Sequence, residues 1–348
     1  MAKKKGSNAL KYILSFALML VLIAATFYVI FQNNDITEIW QALLECPHKV
    51  YLPIACVVVV GYLVCYGLFA MVPLKARGGE TTFGKCFVYA CTDFFYAAIT
   101  PSAAGGEPMV IYTMTNDGAP LSRSSLTVVI QAMYNRAALL VYGIIGFAIS
   151  GGIVFGVSSV FNGLIALGLF INLCIVGFCF SAMRFPAFIK KIGGWLINLL
   201  VKLHIVKDKQ KVFDSFEKQM DEYKASAEFL SASPWLGVKM FLACFAQRGC
   251  MFFASYLVYR CFGLDALCFA QVMCIQAVVC IVVDNIPLPG AMGANEWATG
   301  AIYGLVYRSP SEATAAMLLN RILTFYFPLV VSGIVSVIKY FRMVVLKR

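Results

Sequence analysis

Residues 100–108 read TPSAAGGEP and residues 286–296 read IPLPGAMGANE, and each stretch lies inside a long apolar segment. In both stretches a Pro is followed four residues later by Gly, and after two or three more residues by Glu. Pro lacks a backbone N–H donor and Gly readily adopts a positive φ, so both stretches predict a break in a helix. The apolar segments that they divide, about 86–116 and about 266–307, are left with halves too short to cross a bilayer alone.

The rest of the chain has a composition typical of membrane proteins. Of its 348 residues, 61% are hydrophobic and 13% are charged, whereas soluble domains are about half apolar and about a quarter charged. The first apolar run is too long for the core of a signal peptide and no small-residue cleavage site follows it, so we expect a retained span. Six uninterrupted runs are long enough to cross about 30 Å of hydrocarbon: 12–31, 51–72, 124–150, 160–183, 234–259 and 311–338.

The distribution of Lys and Arg predicts the topology. If each interrupted segment enters and leaves the membrane on one side, 21 of the 28 cations fall inside and three fall outside. A full span at either segment would instead invert a following basic segment. We therefore predict an all-α, polytopic membrane helical bundle with two inverted re-entrant helical hairpins, forming a single domain over residues 1–348. Both termini are expected in the cytoplasm.

The net charge of +11 is interpreted as this orientation signal, and we expect no nucleic-acid partner. The segment of about 184–233 carries nine Lys and Arg residues, with apolar residues at helical spacing between them. This pattern suits cytoplasmic amphipathic helices that lie on the anionic inner leaflet. A small solvated loop domain fits the same pattern equally well.

The two breaks have a functional interpretation and a simpler one. Irregular backbone at membrane depth leaves unpaired N–H and C=O groups, so it is tolerated only inside protein or beside a wet cavity. Two breaks that enter from opposite faces are typical of inverted-repeat transporters, which hold substrate near the midplane with half-helix ends. The simpler alternative is a pair of Pro-kinked spans with no role in binding.

Charged residues favour the functional interpretation. Acidic residues lie in or beside both breaks, and three arginines lie inside other spans. An isolated ionised group at the bilayer centre costs about 2.5 kcal/mol or more, so these groups should face inward and pair. The planar fork of Arg suits a phosphate and the acids suit an amine, although ion pairing between helices without transport remains the alternative. The candidate substrate-binding residues are Asp93, Pro101, Gly105, Gly106, Glu107, Arg136, Arg248, Asp284, Pro289, Gly293, Glu296 and Arg321.

The sequence gives little support to disulfide bonds, a metal site or a nucleotide site. The thirteen cysteines form no CxxC pair and lie mostly in apolar runs, where thiols behave as small hydrophobic side chains. With only two histidines, His48 and His204, we expect no metal site. No GxxxxGK[ST] loop occurs, so we expect no cofactor and no direct use of ATP. Gly143 and nearby small residues are compatible with a homodimer, and core packing explains them equally well.

The two motifs carry a family resemblance. The stretch from Pro101 to Glu107 and Pro108, and the stretch from Pro289 to Glu296, resemble the signature stretches of the lysylphosphatidylglycerol synthase/flippase membrane domain. That domain belongs to the bacterial multiple peptide resistance factor, and the resemblance covers roughly residues 10 to 340. It implies movement of aminoacylated phosphatidylglycerol from the inner to the outer leaflet of the bacterial cytoplasmic membrane. This would lower the negative surface charge and repel cationic antimicrobial peptides.

The resemblance also suggests two alternatives to lipid export. In bifunctional members a cytoplasmic transferase domain follows and uses aminoacyl-tRNA, whereas this chain ends at Arg348, so we expect the translocating half beside a separate synthase. One alternative is a membrane-embedded enzyme of the phosphatidylglycerol lysyltransferase type, in which buried acids act as acid and base. No nucleophile-plus-His arrangement supports it, and we assign no catalytic residue. A second alternative is a non-transporting partner subunit of the synthase.

Overall fold

The computed structural model describes residues 36–345 except 76–77, 101–102, 186–189, 192–193, 196–197 and 199–208, and this part of the chain is helical without any strand. In chain order its helices are α1 Ile36–Leu44, α2 Tyr51–Lys75, α3 Phe83–Ile99, α4 Gly106–Asn116, α5 Leu121–Phe155, α6 Ser159–Arg184, α7 Lys209–Ser231, α8 Pro234–Cys261, α9 Phe269–Val283, α10 Ala294–Val306, α11 Pro310–Arg321 and α12 Phe327–Val345.

Five helical segments are long and apolar enough to cross a membrane. Four of them are α2, α5, α6 and α8, and the fifth is the run Pro310–Met343, in which a π-helical turn, Ile322–Tyr326, joins α11 to α12. These segments confirm five of the six predicted spans. The sixth, 12–31, lies outside the described residues.

Both predicted helix breaks are present. The first separates α3 from α4, and the second separates α9 from α10 and contains a short 3₁₀ turn, Pro289–Ala291. Gly290 and Gly293 have φ values of 56° and 77°, which glycine adopts without steric cost. With 17 and 15 residues, α3 and α9 are about 26 and 23 Å long, shorter than the roughly 30 Å hydrocarbon core. The side from which each helix pair enters a membrane stays a prediction.

The two broken helix pairs pack against largely different helices, with α5 common to both. The pair α3–α4 packs against α2, α5 and α12, and the pair α9–α10 packs against α5, α6, α8 and α11. Where they meet, Ala98 and Ile99 at the end of α3 form a buried cluster with Met292 and Phe325. The two breaks are therefore neighbours in space although about 190 residues separate them in sequence.

Small residues allow α9 to lie close against α5 and α6. A Cβ atom at Gly168 would come within 2.1 Å of the Ile281 carbonyl oxygen, and one at Gly143 within 2.4 Å of the Ile281 side chain. Gly143 is thus used for packing inside the chain. All thirteen cysteines are free thiols, and Cys274, close against Gly146, shows how they fill such contacts as small apolar groups.

Helix α7 is the largest described part of the basic segment 184–233. Met220, Tyr223 and Leu230 are buried on one of its faces, and α7 packs against α5, α6 and α8. The Tyr223 hydroxyl donates a hydrogen bond to the Ala182 carbonyl at 3.4 Å. The apolar face of this amphipathic helix therefore covers the ends of the spans, and its contact with the inner leaflet stays a prediction.

Candidate functional site

A cavity of about 350 Å³ lies between the two breaks. Its walls come from α2, α3, α5, α8 and α9, and from the first turn of α4. The second break, the start of α10, and the end of α11 with the π-helical turn that follows it complete the wall. A cavity of this size falls in the lower range of small-molecule sites. Six predicted site residues line it: Asp93, Glu107, Arg136, Arg248, Asp284 and Arg321.

One side of the cavity, here called the arginine side, consists of Arg136, Arg248 and Asp284. Asp284 ends α9, and its Oδ2 atom lies 2.9 Å from Arg248 Nη2 and 3.5 Å from Arg136 Nη1. Arg136 Nη1 donates to Asn172 Oδ1 at 3.2 Å, and Arg248 Nε donates to Asn135 Oδ1 at 2.8 Å. Because two guanidinium groups share one carboxylate, this side keeps one net positive charge when all three are ionised.

A second part of the cavity wall, here called the acid side, consists of Asp93 and Glu107. Asp93 Oδ1 lies 2.7 Å from the place where a Cβ of Gly106 would be, so this carboxylate rests against the start of α4. The N-terminus of a helix favours a negative charge at this place. Among the residues that the structure describes, neither carboxylate has a Lys or Arg nitrogen within 4.0 Å. Glu107 is exposed, so the acid side opens toward the surroundings of the bundle.

The second break is held by a buried ion pair. Arg321 Nε lies 2.9 Å from Glu296 Oε1, with 9% and 6% of the two side chains exposed. Glu296 Oε2 accepts a hydrogen bond from the Gly293 N–H at 2.7 Å, and Arg321 also donates to the Gly290 carbonyl oxygen. The Arg321 guanidinium lies 4.1 Å from the centre of the Phe325 ring. These contacts fix the shape of the break; Arg321 reaches the cavity, and Glu296 lies behind its wall.

The remaining predicted site residues form the backbone of the breaks. The Gly105 N–H donates to Thr100 Oγ1 at 2.8 Å, and Gly106 begins α4. Pro289 begins the 3₁₀ turn, and Gly293 is the N-cap of α10. These residues shape the cavity from behind its lining. Pro101 lies outside the described residues.

Sequence reasoning missed a group of uncharged polar residues in the cavity wall: Gln131, Asn135, Gln247 and Gln276. Gln131 Nε2 donates to Gln247 Oε1 at 2.9 Å, which links α5 to α8. A signal was present, since Asn135 and Gln247 each precede a cavity arginine directly within an apolar run. A search for buried charges alone passes over such amides.

The chain matches known proteins along most of its length. The sequence model described as "Lysylphosphatidylglycerol synthase TM region" matches residues 12–332, a range that holds both breaks and all residues of the cavity wall. The chain is also similar to a protein of Archaeoglobus fulgidus named "UPF0104 membrane protein", with 24% identity over 292 residues, which are 82% of this chain and 85% of that protein. The resemblance carried by the two motifs is confirmed. This chain belongs to the lysylphosphatidylglycerol synthase TM region family.

Proposed function

We propose that this protein moves aminoacylated phosphatidylglycerol, a lipid of the lysyl-phosphatidylglycerol type, from the inner to the outer leaflet of a bacterial cytoplasmic membrane. The observation that carries the proposal is one cavity between two helix breaks with an arginine side and an acid side. The family description supports a role connected with this lipid. In the cell, export of the lipid would lower the negative surface charge and give resistance to cationic antimicrobial peptides.

The charges of the cavity complement such a headgroup. The arginine side has a surplus of one positive charge, which suits a phosphate, because guanidinium groups bind phosphate oxygens in pairs. The acid side has two carboxylates that form no ion pair within 4.0 Å among the described residues, and such carboxylates suit ammonium groups. Arg321 adds no net charge, since Glu296 neutralises it. An aminoacylated phosphodiester presents both kinds of charge in one molecule.

The proposed movement follows from the position of the breaks. The pairs α3–α4 and α9–α10 act as re-entrant hairpins from opposite faces, with both chain termini in the cytoplasm. The headgroup passes through the cavity while the acyl chains stay in the bilayer, as expected for a site at the meeting point of two half-helices. Movement is passive or is coupled to an ion or proton through the acids of the cavity.

The proposal assigns synthesis and export to different proteins. The chain works as a single transmembrane domain, alone or as a homodimer, and a separate aminoacyl-lipid synthase supplies its substrate. Both the anionic and the cationic groups of the cavity serve binding in this scheme. None of them is required to form or break a covalent bond.

The test is lipid movement in liposomes that contain purified protein and labelled lysyl-phosphatidylglycerol, followed as accessibility from outside over time. Glu107→Gln should slow movement about 10- to 100-fold, the effect of losing one charged hydrogen bond. Glu228→Gln on α7 is the matched control, because this exposed carboxylate is not part of the cavity lining and forms an ion pair with Lys224, at 4.0 Å. It should move lipid at the wild-type rate.

Three outcomes would contradict the proposal. Glu107→Gln at the wild-type rate would remove the acid side from the mechanism. Wild-type protein that binds the lipid without moving it would favour a partner-dependent subunit. Formation of aminoacylated lipid from phosphatidylglycerol and aminoacyl-tRNA by the purified protein would favour an enzyme.

A further inference from the structure

Two cysteines from distant parts of the sequence meet at one end of the bundle. Cys46 lies in the turn between α1 and α2, and Cys261 is the last residue of α8. Their thiols are in hydrogen-bond contact, and both side chains belong to one buried cluster. Both are free thiols in this structure. The fold therefore places side by side two reactive groups that the sequence keeps far apart.

Backbone contacts hold the two thiols at this short distance. The His48 N–H donates to the Cys261 carbonyl oxygen at 3.2 Å. A Cβ at Gly263, just after α8, would lie 2.9 Å from Pro47 Cγ, so the α1–α2 turn packs on the turn that follows α8. Arg308 Nη2 donates to the Gly263 carbonyl oxygen at 3.1 Å and fixes that turn from another side. A disulfide requires two backbone segments to lie close together, and this arrangement supplies them.

The surroundings of Cys46 allow an oxidant to reach it. Cys46 is 7% exposed, whereas residues 44–45 and 47–50 on both sides of it are exposed. Cys46 is thus a buried point within an exposed turn, and local opening of this turn exposes the thiol. In the predicted topology the turn lies outside the cytoplasm, where disulfides form and persist.

A second pair of cysteines has the same contact at a different depth. Cys65 on α2 and Cys250 on α8 are also in hydrogen-bond contact through their thiols. Cys250 precedes Cys261 by eleven residues, about 16 Å along α8, so this pair lies inside two candidate spans. Disulfide exchange requires a thiolate, and a charge is costly at this depth. We therefore expect this pair to stay reduced.

We propose that Cys46 and Cys261 form a disulfide bond when this end of the protein faces an oxidising compartment. The oxidant is the disulfide of an extracytoplasmic thiol oxidase. The Cys46 thiolate attacks one sulfur atom of that disulfide, which gives a mixed disulfide and releases one oxidase thiolate. The Cys261 thiolate then attacks the Cys46 sulfur atom and releases the second. The oxidase has accepted two electrons, and the two protons of the cysteines end on its dithiol.

The bond ties the α1–α2 turn to the end of α8. Helix α1 packs against α11, and α2 packs against α8, so the bond joins elements that support the cavity from one end. Neither cysteine lines the cavity. The bond therefore stabilises the bundle without contacting a bound headgroup. The proposal rests on the orientation of the chain in the proposed function, and it does not depend on the movement of lipid.

The test determines the state of the thiols in full-length wild-type protein from a bacterium whose cell envelope contains such an oxidase. Cells are quenched in acid, and the denatured protein is alkylated with N-ethylmaleimide, digested and analysed by mass spectrometry. Most chains should contain a peptide linked through Cys46 and Cys261. Cys65 and Cys250 should be alkylated in the same sample.

Thermal unfolding in detergent gives a second measurement. A reductant should lower the unfolding midpoint of the wild type by about 3–8 °C, because the constraint on the unfolded chain is lost. The midpoint of Cys46→Ser should not respond to the reductant. Cys65→Ser is the matched control, and its midpoint should respond as that of the wild type does.

Two outcomes would overturn the proposal. One is complete alkylation of Cys46 and Cys261 in the wild-type protein. The other is a link between Cys65 and Cys250 in equal yield, because oxidation would then not depend on the end of the bundle at which a pair lies. In either case the movement of labelled lipid in liposomes still tests the proposed function separately.

Discussion

The two helix breaks share a sequence pattern and differ in what their glutamates do. In the first break Glu107 is exposed, and it has no cation within 4.0 Å among the described residues. In the second break Glu296 is 6% exposed and is bound to Arg321 and to the Gly293 N–H. A similar order of Pro, Gly and Glu, with the glutamate two residues after the glycine in one break and three in the other, therefore gives an available carboxylate in one place and a buried support in the other.

The aspartates of the two breaks differ in the same sense as the glutamates. Asp93 beside the first break rests against Gly106 without a basic partner among the described residues, whereas Asp284 at the second break contacts Arg136 and Arg248. The first break thus brings two unpaired acids to the cavity, and the second brings an aspartate that two arginines already share. This asymmetry between related segments produces the separation of charge on which the proposed function depends.

The largest effect on stability should come from the buried pair of the second break. Glu296→Ala leaves the Arg321 guanidinium buried without its carboxylate, which should lower the free energy of unfolding by about 3–5 kcal/mol. Unfolding in detergent by a chemical denaturant measures the loss. The double variant Glu296→Ala, Arg321→Met should recover part of it, since no buried charge then remains. A loss below about 1 kcal/mol in the single variant would show that the pair does not support the break.

A smaller effect should come from the backbone of the same break. A Cβ at Gly290 would lie 2.4 Å from the Phe325 ring, whereas a Cβ at Gly293 meets nothing within 4 Å, and both residues have positive φ. Gly290→Ala should lower the free energy of unfolding by about 1–3 kcal/mol more than Gly293→Ala does, because only the first substitution displaces the Phe325 ring. Thermal unfolding of the two variants in parallel measures the difference. Equal losses of stability would mean that the positive φ, and not the contact with the Phe325 ring, determines the effect of the substitution.

The end of α4 away from the first break offers the next test. Lys339 Nζ lies 2.5 Å from Asp117 Oδ1, and the Tyr89 hydroxyl donates to Asp117 Oδ2 at 3.0 Å. Lys339→Met should lower stability by about 1–2 kcal/mol, because Asp117 loses its charged partner in a partly buried place. Lys224→Met, which removes a pair with both side chains more than 60% exposed, should change it by less than about 0.5 kcal/mol. Equal effects of the two changes on stability would show that this contact does not anchor the pair α3–α4.

The smallest effect on stability should come from the exposed glutamate of the first break. Glu107→Gln should change the free energy of unfolding by less than about 0.5 kcal/mol, because no basic partner loses its charge. The same sample should move labelled lysyl-phosphatidylglycerol far more slowly than the wild type. Measuring both quantities on Glu107→Gln and Glu296→Gln separates a binding carboxylate from a structural one. A Glu107→Gln protein as unstable as Glu296→Gln would contradict this difference between the breaks.

Much of the site could be predicted from the sequence, because its charged residues lie inside apolar runs. A charge inside an apolar run is a strong signal, and six of the candidate residues found in this way line the cavity. Glu296 carries the same signal but lies behind the wall. The amides Gln247 and Gln276 carry a weaker signal, because a single amide in a membrane helix is common in packing between helices.

The sequence by itself determined where the five described spans lie and where two further apolar segments break. These features depend on local chemistry: apolar runs, the missing donor of Pro and the free φ of Gly. Only the tertiary structure decided that Asp284 is shared by Arg136 and Arg248 and that Arg321 bonds to Glu296. These pairs join different helices, and their formation depends on how closely the helices approach, which small residues such as Gly143 and Gly168 set by contact.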